Sequence, residues 1–281
     1  MLTVLEIIKR TTEFFAGKGI ESPRLNAELL IGHALGRTRM QLYMEFERPL
    51  AEAELEKIRP LVRRRGQREP LQYIVGEVEF HGLKLKVDKR ALIPRPETEL
   101  LVAHVVALCA ANPPTRLLDL GTGSGAIAIA LATMLPTAAV TAVDVSAEAL
   151  AIARENAATA GAAGRIEFLT SDWFAALSGQ SFDVIVGNPP YLSASETAET
   201  APEVRGFEPA MALTAPGDGL EHLARIIADA PRYLNDGGLL ALETGIAQHA
   251  RLRELLAAAG FTRTESRQDL TGRDRFVFGW R

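Results

Sequence analysis

The chain has 281 residues, enough for one large core or two modest domains, and its 47 % hydrophobic and 23 % charged content is ordinary for a globular protein. Net charge is −4, with 17 basic and 13 acidic side chains in residues 1–90 against 14 and 22 in residues 91–281; a duplex nucleic-acid partner would call for a stronger basic footprint, although the front of the chain could meet something anionic. The first ten residues carry no signal-like pattern, no apolar run reaches the ~18 residues of a membrane span, and the lone Cys109 excludes an intramolecular disulfide, so a cytoplasmic protein without membrane contact is expected.

Residues 1–75 read as a small bundle of short helices. Thr3 with Glu6, and Thr38 with Gln41, have capping-box spacing, while Ser22-Pro23 reads as an N-cap followed by proline at the first helical position. A helix over 51–68 is expected to kink at Pro60 and ends in Arg63-Arg64-Arg65 and Arg68. That cluster is either a solvated helix end offsetting the dipole or a contact for an acidic partner. Residues 78–87 read as a hairpin: Leu83, Leu85 and Val87 alternate with lysines after a His81-Gly82 turn. With the stiff Ile93–Thr98 segment, whose prolines forbid a helix, this makes residues 76–95 a linker. Cys109, in an apolar helical run, reads as a buried small hydrophobe rather than a nucleophile.

From residue 96 to 281, helices and strands alternate. Strands are expected at Arg116–Leu120, Ala139–Val143, Ile166–Leu169, Phe182–Val186 and Leu239–Glu243, with helices between them, one of them over Leu220–Leu234, and two more strands at 261–279. Such alternation implies an α/β, doubly wound, mostly parallel sheet whose ligand sits at the carboxyl ends of its strands.

One such end carries Gly121-Thr122-Gly123-Ser124-Gly125, between an apolar strand and an apolar helix. Glycines allow a tight turn and close approach, and the helix N-terminus offers free N–H groups. Asp144, ending the next strand, can accept two ribose hydroxyls. Asp119 could hold an ammonium, and Trp173 either packs on an adenine or is core. The loop alone leaves a dinucleotide open, since Gly121, Gly123 and Ala126 also fit G-x-G-x-x-A.

Asn188-Pro189-Pro190-Tyr191 follows a later strand. An amide or exocyclic amino nitrogen is a poor nucleophile because its lone pair is conjugated. Two acceptors on its N–H bonds, the Asn188 side-chain oxygen and the Pro189 carbonyl, would draw it out of conjugation and aim the lone pair at the sulfonium methyl of S-adenosylmethionine. Tyr191 could stack on the planar group. The methyl donor arrives activated, so positioning and electrostatics can carry the rate with no metal. A dinucleotide oxidoreductase would leave this motif without a role.

Leu118–Gly125 with Asn188–Tyr191 resembles the amino-methyltransferases of the class I S-adenosylmethionine-dependent fold, Rossmann-like with a seven-stranded sheet. Together with Glu69-Pro70, Tyr73-Ile74, Gly76, Phe80-His81-Gly82, Leu92–Glu99, Ser171–Phe174, Glu208-Pro209, Ala212-Leu213 and Asp269–Arg275, the chain resembles the bacterial release factor glutamine methyltransferases, the HemK/PrmC family, over nearly its whole length. The resemblance implies methylation of the side-chain amide (N5) of the glutamine in the Gly-Gly-Gln loop of class I release factors, in support of translation termination. It also implies S-adenosylmethionine as cofactor and S-adenosylhomocysteine as product. Residues 1–75 would help grip the release factor. Gly121, Thr122, Gly123, Ser124, Gly125, Asp144, Trp173 and Asn188 would contact the cofactor, Asn188, Pro189, Pro190 and Tyr191 would hold the glutamine, and Arg95–Thr98 would cover the site. Thr244 stands where an apolar residue is expected. The alternative is an adenine-N6 or cytosine-N4 methyltransferase acting on nucleic acid, against which the acidic balance of residues 91–281 counts.

Overall fold

Reciprocal caps start the first helices. In the computed structural model, which describes residues 2–281, Thr3 opens α1 (Val4–Gly17): its Oγ1 accepts from Glu6 N at 3.3 Å and its own N–H donates to the Glu6 carboxylate at 2.8 Å. Thr38 and Gln41 repeat the pattern at α3 (Arg39–Met44). Ahead of α2 (Pro23–Leu35), Ser22 departs from the expected N-cap: its φ is +47° and its hydroxyl caps nothing, while the Asn26 side chain reaches back to the carbonyls of Glu21 and Ser22. Helix α4 (Glu52–Gly66) runs through Pro60, and α5 (Leu71–Val75) follows.

Two compact units result, residues 1–76 with 201–207, and residues 77–200 with 208–281. In the first, Val4, Ile8, Ile31, Leu42, Leu50, Leu55 and Ile58 form one buried cluster, and Phe15, Ile20, Ala27, Leu30 and Ile74 another. Its basic cluster is largely spent internally. Arg65, 6 % exposed, and Arg68 both bind the Glu203 carboxylate, at 2.9 and 2.8 Å, and Arg64 pairs with Glu69. Among the described residues no helix is long and apolar enough to cross a membrane.

The second unit begins with β1 (Glu77–Phe80) and β2 (Leu83–Lys86), an antiparallel hairpin turning at His81 and Gly82, both at positive φ. The hairpin is packed into this unit rather than strung between two: Phe80 and Leu85 are fully buried in its core, and His81 bonds Glu99 through its backbone N–H and its ring. Then come α6 (Pro96–Leu108), β3 (Arg116–Leu120), α7 (Ala126–Met134), β4 (Ala139–Asp144), α8 (Ala147–Thr159), β5 (Ile166–Thr170) and β6 (Phe182–Gly187). After α9 (Ala194–Glu199) and α10 (Pro202–Phe207) follow α11 (Glu221–Asp229), β7 (Leu234–Glu243), α12 (His249–Ala258), β8 (Arg263–Gln268) and β9 (Asp274–Trp280).

Seven strands form one sheet in the order β5-β4-β3-β6-β7-β9-β8, all parallel but β9. The chain winds outward from β3 to β5, then crosses back to β6, so the switch point lies between β3 and β6, where Leu120 pairs with Gly187. Strand β7 starts at Leu234, where a helix over Leu220–Leu234 was expected. Phe182 pairs with Leu234 but Val184 with Leu239, so Asn235–Gly238 bulges out, held by Asn235 donating to Asp183 at 2.7 Å. Cys109 is buried and burial pushes its thiol up to about 11, as for an inert packing residue. The unexpected Thr244 is fully buried yet satisfied, its Oγ1 2.8 Å from His249 Nε2.

Candidate active site

Four carboxyl strand ends converge on one cavity of about 370 Å³, within the range of small-molecule sites. The end of β3 supplies Gly121, Thr122, Gly123 and Ser124, the end of β4 Asp144, the turn after β5 Asp172 and Trp173, and the end of β6 Asn188 and Pro190; Arg95 and Thr98 at the start of α6, with Pro209 and Met211, complete the wall.

The glycine loop is left-handed three times, with φ of +69°, +56° and +84° at Gly121, Gly123 and Gly125. A Cβ on Gly121 would sit 3.4 Å from the Trp173 ring, so the bare backbone is what keeps the cleft beside that indole open. Gly125 lies off the cavity: a Cβ there would press on Ile129 and Ala153 at 3.0 and 3.1 Å, and its absence lets α7 and α8 close up.

Asp144 organises the loop. Its Oδ2 accepts from Gly123 N at 2.8 Å and its Oδ1 from Ser146 N at 2.9 Å, leaving lone pairs on both oxygens for hydroxyl donors. Burial raises this carboxyl above its ordinary value, against the pull of those N–H groups. Asp119 is fully buried beneath the loop and lines no part of the cavity, so it does not face a ligand ammonium. Its Oδ2 takes Thr122 Oγ1 at 2.6 Å and Ala128 N at 3.1 Å, its Oδ1 has no partner, and burial pushes it up to about 7. Trp173 stands at φ +51°, a conformation the fold has to hold in place, and the Ser171 hydroxyl does so by donating to its carbonyl at 2.8 Å while accepting from Ala176 N.

The Asn188–Tyr191 segment is fixed from behind. Asn188 Nδ2 donates to Thr98 Oγ1 at 3.1 Å, and Thr98 Oγ1 donates to Glu243 Oε2 at 2.7 Å. Tyr191 and Pro189 are not part of the cavity wall. The Tyr191 hydroxyl instead donates to Glu243 Oε1 at 3.3 Å and lies 3.4 Å from Arg275 Nη1. Glu243, at the end of β7, is 1 % exposed, and burial pushes its carboxyl up to about 7 although Thr98 and Arg275 oppose the shift. Arg275 is delivered by the Asp269–Arg273 turn, in which the Asp269 carboxylate accepts from Thr271 and Arg273, and it also donates to the Thr244 carbonyl. Glu208, with its side chain 1 % exposed, pins the Ile93–Arg95 segment by accepting from Ile93 N and pairing with Arg95 at 2.6 Å.

Sequence reasoning found the wall but not its support. Thr98 was placed only within a segment covering the site, Glu208 and Arg275 belong to the motifs that carried the resemblance, without roles of their own, and Glu243 was no more than a strand end. The signal was available: an acidic residue closing an apolar strand, as Asp144 does three strands away.

The residues present fit a nucleoside-like methyl donor: a glycine cradle at a helix start, a carboxylate with free lone pairs, and an indole along the cleft. What other proteins add agrees with that chemistry. A family model described as the PrmC N-terminal domain matches residues 6–76, and one described as the methyltransferase small domain matches residues 96–206. The chain is 47 % identical to the release factor glutamine methyltransferase of Chlorobaculum tepidum, over 97 % of this chain and 95 % of that one. To the protein of the same name from Rhodopirellula baltica it is 43 % identical, over 98 % and 95 %. Among solved structures, a methyltransferase from Pyrococcus furiosus covers 71 % of this chain and 89 % of its own at TM-score 0.53 and 18 % identity, a likeness of fold.

Proposed function

The chain belongs to the release factor glutamine methyltransferases, and from that premise we propose that it transfers the methyl group of S-adenosylmethionine to the side-chain amide nitrogen of the glutamine in the Gly-Gly-Gln loop of class I release factors. The observation that carries this reading is a shared cavity: Asn188 and Pro190 line the same wall as Gly121–Ser124, Asp144 and Trp173. The Asn188 acceptor and a nucleoside cradle therefore share one cavity.

S-adenosylmethionine, when bound, supplies a methyl group on a sulfonium, electrophilic without further activation. The protein does the rest. The N–H groups of Gly121, Thr122 and Gly123 are spent on Val143 and Asp144, so the loop offers its bare backbone as a close-fitting cradle at the start of α7, Asp144 accepts ribose hydroxyls, and Trp173 covers the base. Asn188 Oδ1 and the Pro189 carbonyl each accept one N–H of the glutamine amide, so the nitrogen lone pair turns from its carbonyl towards the methyl. Pro190 stiffens the segment, and Tyr191, anchored through its hydroxyl to Glu243, braces it from behind rather than serving as a free stacking plate. The alkylated nitrogen is far more acidic than the amide, and its proton leaves afterwards to water. Work of this kind is positioning plus electrostatic complementarity. Residues 1–75 serve as the grip on the protein substrate, and the reaction takes place in the cytoplasm, where release factors act, with neither membrane nor nucleic acid as substrate.

Asn188→Ala tests the reading. Turnover should fall on the order of 100-fold or more, with S-adenosylmethionine affinity, read by calorimetry, largely kept. Near-normal turnover in this variant would overturn the acceptor role.

A further inference from the structure

We propose that Glu243 is a positioning residue which, acting through Thr98, sets which end of the Asn188 amide faces the substrate. The inference rests on the reading above, in which Asn188 Oδ1 accepts from the glutamine N–H.

An Asn side chain is pseudo-symmetric: rotating it by half a turn swaps an acceptor for a donor at almost no steric cost. With the NH2 end toward the cavity, Asn188 would meet the substrate NH2 donor to donor and the site would fail. Something must choose, and the hydrogen-bond polarity does. Ionised, as it becomes when pH rises through about 7, a carboxylate only accepts. Glu243 Oε2, 2.7 Å from Thr98 Oγ1, therefore claims the single hydroxyl proton of Thr98. Thr98 is left with lone pairs alone for its other neighbour, 3.1 Å away, and that neighbour must be a donor, which is Asn188 Nδ2. The acceptor Oδ1 is turned to the remaining side. Thr98 is 5 % and Glu243 1 % exposed, so bulk water has little chance to scramble the chain of donors. The same carboxylate takes the Tyr191 hydroxyl on its other oxygen, 3.3 Å away, so both ends of the Asn188–Tyr191 segment refer to one buried group. Burying a carboxylate is costly, and Glu243 touches neither the cavity nor any surface; orientation of the segment in front of it is the return.

Replacing Glu243 by Gln keeps the shape and breaks the rule, because an amide can donate to Thr98 Oγ1 and release the hydroxyl proton to Asn188 Oδ1. The test measures kcat, KM for a purified class I release factor and S-adenosylmethionine affinity for Glu243→Gln, Thr98→Val, Thr98→Ser and Asn188→Ala. Glu243→Gln and Thr98→Val should lose kcat on the order of 100-fold with cofactor affinity unchanged, while Thr98→Ser, which keeps the hydroxyl, should retain most of the wild-type kcat. A merely structural carboxyl would instead lower cofactor affinity and melting temperature together with kcat. If Asn188→Ala is inactive but Glu243→Gln and Thr98→Val turn over like wild type, the relay is wrong and the acceptor reading stands. If Asn188→Ala itself stays active, the acceptor reading falls and the relay with it.

Discussion

Glu243→Gln should change how stability depends on pH, and the size of the change follows from the burial of the group. The carboxyl lies at about 7 in the folded protein against an ordinary 4.5. Folding therefore favours its protonated form. The folded state pays nothing for this group below pH 4.5, and loses stability progressively as pH rises through 7. At ~1.36 kcal/mol per pH unit, and with the group only partly ionised near 7, the wild type gives up roughly 2–3 kcal/mol between pH 5 and pH 8 on account of Glu243. Glutamine does not titrate. Whatever constant difference the substitution introduces in packing or hydrogen bonding cancels when the two pH values are compared, and so does the slope contributed by Asp119, which both proteins share. Chemical denaturation of both proteins at pH 5 and pH 8 gives the four free energies. The difference between variant and wild type should move in favour of glutamine by about 2–3 kcal/mol over that span. A difference independent of pH would mean that Glu243 is ionised throughout, and that the penalty inferred from its burial is not there.

Asp144→Ala removes a carboxylate that both orders the glycine loop through Gly123 and Ser146 and faces the cavity. Hydrogen bonds to a charged group are worth ~1.5–3 kcal/mol, so S-adenosylmethionine affinity should fall roughly 10- to 100-fold by calorimetry, and an unchanged value would take Asp144 out of the site. Gly219, at φ +85°, carries the Asn188–Tyr191 segment on its bare Cα: a Cβ there would lie 2.4 Å from the Tyr191 carbonyl oxygen. Gly219→Ala should displace that carbonyl from Gln248 Nε2, now 2.9 Å away, cost about 1–3 kcal/mol of stability and depress kcat more than cofactor affinity. A variant with wild-type kcat and melting temperature would show that the acceptor segment tolerates a shift.

Much of the frame was readable from residue order because the determinants are local. Capping boxes announce themselves by three-residue spacing, and Thr3 and Thr38 start helices as their partners Glu6 and Gln41 require. Continuous apolar runs alternating with amphipathic ones dictate a parallel sheet covered on both faces, and Gly121–Gly125 and Asn188–Tyr191 fall at strand ends because glycines and adjacent prolines cannot continue a strand. What was missed is non-local. Ser22 looks like an N-cap, but its backbone is drawn into a left-handed turn, where Asn26 Nδ2 donates to the Glu21 and Ser22 carbonyls. Leu234 reads as the end of a helix and Leu239 as the start of a short strand, whereas Asp183 holds the bulge that lets β7 begin at Leu234. Asp119 reads as a ligand contact because it precedes the glycine loop, yet an inward-facing position on a central strand buries it under Thr122. Glu243 lies 55 positions from Asn188 in the chain, and no spacing rule joins them; their connection through Thr98 exists only once α6, β6 and β7 are laid side by side.

Methyl transfer from labelled S-adenosylmethionine tests the central claim most directly. The acceptors are a purified class I release factor, the same factor with the glutamine of its Gly-Gly-Gln loop changed to alanine, and DNA and RNA. Label on the wild-type factor alone, absent from the alanine form and from the nucleic acids, is the predicted result. Label on the alanine form or on nucleic acid would contradict it, leaving the nitrogen chemistry of the cavity in place and assigning it another acceptor.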